Sequence, residues 1–136
     1  MSSPQITFVN TTFTSPTFLS RRRDTVRKTT LLYQLEVLKS TGRYDAFKLQ
    51  WHPSYSDKPD VPPIPNHLFW DSDVAKWIEG ACYALRTDDV KDVSKAVEEL
   101  VEMIRLAQQE DGYLNIHYTV VEPKFRFTNL RDMHEL

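Results

Sequence analysis

Two apolar stripes of helical period, separated by only a few residues, constrain this chain most. Val74, Trp77, Ile78, Ala81, Cys82 and Leu85 recur at offsets of three and four, and Val93, Ala96, Val97, Leu100, Val101, Ile104 and Ala107 repeat the pattern while Lys95, Glu98, Glu99 and Glu102 face water. Each stripe needs a cover, and a short connection lets them cover each other. The pattern predicts an antiparallel helical hairpin of residues 71–86 and 89–109, packed through Trp77, Ile78, Ala81, Val97, Leu100 and Ile104. Cys82 falls in the first stripe and is expected in the core.

The rest of the chain is punctuated by proline and glycine. Residues 1–15, with Ile6, Phe8 and Phe13 among Ser, Thr and Asn, read as an arm or a short strand. From Pro16, with Ser15 as cap, the residues Phe18, Leu19, Val26, Leu31, Leu35 and Leu38 predict a first long helix over about 16–40, ended by Thr41-Gly42. Five prolines between 51 and 67 forbid a helix there and favour a stiff, extended connection. Asp111-Gly112 is expected to close the third helix, and residues 113–119 alternate Leu114, Ile116 and Tyr118 with Asn115, His117 and Thr119, the period of an extended segment. A further helix is expected to begin at Thr128 or Asn129. The organisation is an arm, 1–15, followed by one all-α body, 16–136.

A length of 136 residues suffices for one ordinary domain, and 40% hydrophobic residues place the chain outside the disordered range. A net charge of -2 gives no electrostatic reason to expect nucleic acid or an anionic membrane as partner. The basic cluster Arg21-Arg22-Arg23, with Arg27 and Lys28, reads as a solvated helix face. One cysteine, Cys82, excludes an internal disulfide and every zinc motif built from paired cysteines. No window is long and apolar enough to span a membrane and the start carries no secretory pattern, so the expected location is the cytoplasm. Asn10-Thr11-Thr12 is read as a chance match to a glycosylation acceptor.

Three segments carry a resemblance: the run from Phe69-Trp70-Asp71 to Tyr83-Ala84-Leu85, then Gln108-Gln109-Glu110-Asp111-Gly112-Tyr113-Leu114-Asn115, then Asn129-Leu130-Arg131-Asp132-Met133-His134-Glu135-Leu136. Together they resemble glycoside hydrolase family 127, whose best-known activity is removal of terminal β-L-arabinofuranose. The resemblance runs from near Phe18 to the last residue. Members of that family are several times longer, so the chain is expected to be an amino-terminal piece of such an enzyme or a truncated gene product, inactive by itself. The resemblance implies an incomplete (α/α)6 toroid, with about three long helices and the start of a fourth. Such a piece cannot close the ring.

In the family, zinc held by cysteines and a glutamate sits beside the sugar, one cysteine attacks the anomeric carbon, and a separate glutamate is acid and base. Those residues belong to later helices, so no catalytic or metal-binding residue is expected in this chain, and zinc is implied only for the complete family member. Two residues carry over as substrate-binding. His134 falls on a His-Glu-Leu motif whose imidazole contacts the arabinofuranose, and Gln34 matches a first-helix glutamine whose amide bridges sugar hydroxyls. The implied partner is an L-arabinofuranosyl saccharide. Asp71 and Asp73 are read as helix caps rather than, with Glu79, a catalytic carboxylate pair. Trp70 and Trp77 are read as core, and His52, His67 and His117 have no ligand spacing. Two other readings compete: a non-catalytic helical interaction module, and a sugar epimerase or unsaturated-uronide hydrolase on the same toroid.

Overall fold

A computed structural model describes residues 12–14, 16–50, 66–87 and 90–128. The elements are α1 (Phe18–Thr25), α2 (Leu31–Ser40), α3 (Trp70–Leu85), α4 (Lys91–Ala107) and the single turn α5 (His117–Val120), with a π turn (Val26–Thr30) joining α1 to α2. Among the described residues there is no β-strand, and the class is all-α. Nor is any helix among them long and apolar enough to cross a membrane. The proline-rich segment 51–65, residues 1–11 of the arm and the expected last helix, including His134, lie outside the described residues.

The expected hairpin is α3 and α4, packed against each other, with α2 touching both. Its core is the part of each stripe with the tightest helical period: Val74, Trp77 and Ala81 from α3, Val93, Ala96, Leu100 and Ala107 from α4, and Leu31, Leu35 and Leu38 from α2. Leu100 is 0% exposed at the centre. Ile78, Val97 and Ile104 are partly buried along the edges. Tyr44, Ala46 and Phe47, from the loop after α2, close one end, where the Tyr44 hydroxyl donates to Glu99 Oε2 at 2.6 Å.

Several expectations are corrected. Cys82 is exposed, because the seam of α3 follows Trp70, Val74, Trp77 and Ala81 and carries Cys82 past its edge; Val101 leaves the α4 seam the same way. The first helix starts two residues later than expected, at a capping box in which Ser20 N donates to Thr17 Oγ1 (3.1 Å) and Thr17 N to Ser20 Oγ (2.7 Å). Its amino-terminal apolar residues Phe18, Leu19 and Val26 are exposed. The cause is the π turn, in which Leu31 N reaches back to Val26 O and shifts the register between α1 and α2, so only Leu31, Leu35 and Leu38 face the core.

That same shift turns Arg27 inward. Its guanidinium is buried, bonded to Asp24 Oδ1 (2.5 Å) and to Thr87 Oγ1 (3.2 Å) beyond the end of α3, so the basic cluster is not wholly a solvated face. Gly112 does not end α4, which stops at Ala107; it sits at φ +89° in a separate turn closed by Gly112 N to Gln109 O and Gln109 N to Tyr113 O, both 2.8 Å.

The extended segment expected over 113–119 reaches only to Asn115. Asn115 Oδ1 then accepts from Tyr118 N at 2.9 Å and caps the turn α5, which buries Asn115, Ile116, His117 and Tyr118 together instead of alternating them.

Candidate functional site

Gln34 lies on the outer side of α2, one residue before the buried Leu35, and so lines an open groove between α2 and α3. The groove has a volume of about 610 Å³. Tyr33, Val37 and Thr41 continue its α2 wall at helical spacing, and Asp73, Lys76 and Trp77 form its α3 wall. The floor is fixed by Trp77, whose indole Nε1 donates to Leu31 O at 3.1 Å.

The end of the groove is built by the helix stop. Gly42 adopts φ +81°, the chain reverses, and Tyr44 N returns to Leu38 O at 3.0 Å. A Cβ on Gly42 would stand 3.6 Å from the Trp70 ring, ordinary contact, so conformation rather than space calls for glycine here. The reversal aims Arg43 at α3. Its Nε donates to Asp73 Oδ2 at 3.0 Å, its guanidinium lies 5.4 Å from the Trp70 ring centroid, and Lys76 Nζ approaches Asp73 Oδ1 at 3.9 Å. Asp73 is therefore an inter-element ion-pair partner and not the expected cap: the N-cap position of α3 is Phe69, which makes no side-chain cap bond.

Asp71 also departs from capping alone. One carboxylate oxygen accepts from Ser72 N at 2.8 Å and the other from Ile116 N at 3.4 Å, tying the start of α3 to the segment after α4. Burial pushes its carboxyl above the ordinary range, against the lowering effect of those two amides. Burial, followed by the hydrogen bond to Glu99, drives the Tyr44 hydroxyl upward; that bond is also the main influence holding Glu99 low.

The structure thus places Gln34 on the wall of this groove, while His134, the other residue singled out from the sequence, lies outside the described residues. Sequence reasoning missed Arg43 and Asp73 as a pair; the available signal was a cation directly after the Thr41-Gly42 helix stop. It also missed His117, which is 3% exposed with Nε2 2.8 Å from Glu122 Oε2. Trp70 and Trp77 are core, as expected. No group of three or more His, Cys, Asp or Glu side chains that could hold a metal comes together among the described residues. Those residues do not fit a zinc site.

The model of the β-L-arabinofuranosidase GH127 catalytic domain matches residues 11–136. The chain belongs to the GH127 family. It is 31% identical to a non-reducing end β-L-arabinofuranosidase of Bifidobacterium longum subsp. longum, over 94% of this chain and 22% of that protein. It is 33% identical to a GH127 β-L-arabinofuranosidase from Geobacillus stearothermophilus T6 whose crystal structure it matches with a TM-score of 0.74, over 89% of this chain and 19% of that one. The chain thus spans about a fifth of the length of these GH127 relatives and matches their amino-terminal region. Its helical layer has the architecture of part of an (α/α)6 toroid.

Proposed function

We propose that this chain supplies the amino-terminal wall of a sugar pocket in an enzyme that removes terminal β-L-arabinofuranosyl units, and that Gln34 binds the sugar. The observation that carries the reading is the position of Gln34 in the groove between α2 and α3 of a GH127 chain. An amide presents two donors and an acceptor, which suits it to bridge neighbouring hydroxyls. His134 is proposed to approach the same sugar from the motif that ends the sequence. The reacting groups and any zinc belong to regions that the relatives have and this chain does not span, and no step of hydrolysis is assigned to residues here. A cytoplasmic setting is part of the proposal.

The test is a chimera in which residues 11–136 replace the matching segment of the Geobacillus enzyme, assayed on p-nitrophenyl β-L-arabinofuranoside. Gln34→Ala and His134→Ala should each lower kcat/KM by about 1 to 3 kcal/mol in transition-state binding while leaving Tm nearly unchanged. An active chimera indifferent to both substitutions would overturn the reading.

A further inference from the structure

We propose that the groove beyond Gln34 is a second sugar subsite, in which Tyr33 is a stacking platform and the Arg43–Asp73 pair binds hydroxyls of the unit next to the terminal arabinofuranose. This rests on the proposed role of Gln34. Tyr33 is 70% exposed, takes no part in the core and lines the groove beside Gln34. A large ring presented to water at the mouth of a groove gives a pyranose or furanose face an apolar surface to cover. The opposite wall is polar and held in place. Arg43 Nε is committed to Asp73 Oδ2, while Asp73 Oδ1, with Lys76 Nζ at the long distance of 3.9 Å, keeps acceptor capacity for a hydroxyl donor.

An aromatic face opposite a fixed donor–acceptor pair suits a polyhydroxylated ring, which has an apolar face and a rim of hydroxyls. The volume of about 610 Å³ exceeds what one pentose needs and leaves room for a second unit. The groove lined by Phe13, Leu19, Val26, Tyr83 and Ala84, further along the same face of α3, has only Arg23, Arg27 and Thr87 as polar lining, and Arg27 is bonded to Asp24 and to Thr87.

The test is NMR titration of the full chain with methyl β-L-arabinofuranoside and with a β-L-arabinofuranosyl disaccharide. Both sugars should shift the Gln34 side-chain amide, and the disaccharide alone should also shift the Tyr33 ring and Arg43 Nε–H. Tyr33→Ala should weaken disaccharide binding about fivefold, Tyr33→Phe should keep it, and neither should change binding of the methyl glycoside. Shifts confined to Gln34 with both sugars would overturn the subsite and leave the Gln34 reading standing. Disaccharide shifts at Tyr33 and Arg43 without any at Gln34 would overturn the Gln34 reading and keep the groove as a sugar site. No shift with either sugar, on a chain whose spectrum shows it folded, would overturn both.

Discussion

Trp77 reaches across from α3 to hydrogen-bond the carbonyl oxygen of Leu31 on α2, 3.1 Å away and out of contact with water. That carbonyl stands at the first residue after the π turn, so the bond pins the point where the register of the first helix changes. Trp77→Phe keeps an aromatic ring but leaves a buried acceptor short of a donor, and should cost about 1 to 3 kcal/mol in urea unfolding. An unchanged midpoint would show that the contact does not hold α2 to α3.

Leu100 sits where α2, α3 and α4 meet and has no exposed surface. Leu100→Ala should cost about 2 to 5 kcal/mol, whereas Val101→Ala, one residue away and exposed, should stay within about 0.5 kcal/mol. Equal losses at the two positions would contradict the seam described for α4.

The hairpin was legible because both stripes are long, regular and joined by few residues, so Trp77, Ala81 and Leu100 could be placed before any coordinates. What misled was width. Periodicity marks every residue near a face, but only the line that a neighbouring helix touches is buried, which left Cys82 and Val101 outside. The π turn has no compositional mark in Val26–Thr30, so the exposure of Phe18 and the burial of Arg27 were hidden. At the site, Gln34 came through family resemblance, while the Arg43–Asp73 pair depends on a chain reversal at Gly42 that joins positions thirty apart.

Arg27 is an inward-facing cation whose partners come from its own helix and from Thr87 past α3. Arg27→Ala removes the packing of its stem along with the ion pair and should destabilise by about 1 to 3 kcal/mol. Arg22→Ala, on the exposed face of α1, should stay within about 0.5 kcal/mol. Thermal melts of the two variants give the comparison.

Asp71 predicts a pH dependence of definite sign. Burial raises its carboxyl in the folded chain above the ordinary 3.8, so the folded state holds that proton to higher pH than the unfolded state does. The associated stability is present in full below the ordinary carboxyl value and is lost as pH rises through the folded one. The Tm difference between the wild type and Asp71→Asn should therefore move against the wild type as pH climbs from about 3 towards neutrality. A difference moving the other way would mean that the amides of Ser72 and Ile116 outweigh burial.

By itself the chain should release no p-nitrophenol from aryl β-L-arabinofuranoside, with or without added zinc. Metal activation of a thiol requires several donors converging on one ion, because coordination is what holds the sulfur as thiolate at neutral pH. Cys82 is the only cysteine in the sequence, is exposed, and belongs to no group of three or more potential ligands among the described residues. Zinc should accordingly leave Tm unchanged, since no group of ligands among the described residues offers the ion a folded-state site through which to add linkage free energy. Cys82→Ser, a near-isosteric change at an exposed position, should shift stability by less than about 0.5 kcal/mol. Calorimetric melts with and without zinc, beside the chromogenic assay, check all three expectations, and zinc-dependent turnover that disappears in Cys82→Ser would place the reacting thiol in this segment after all.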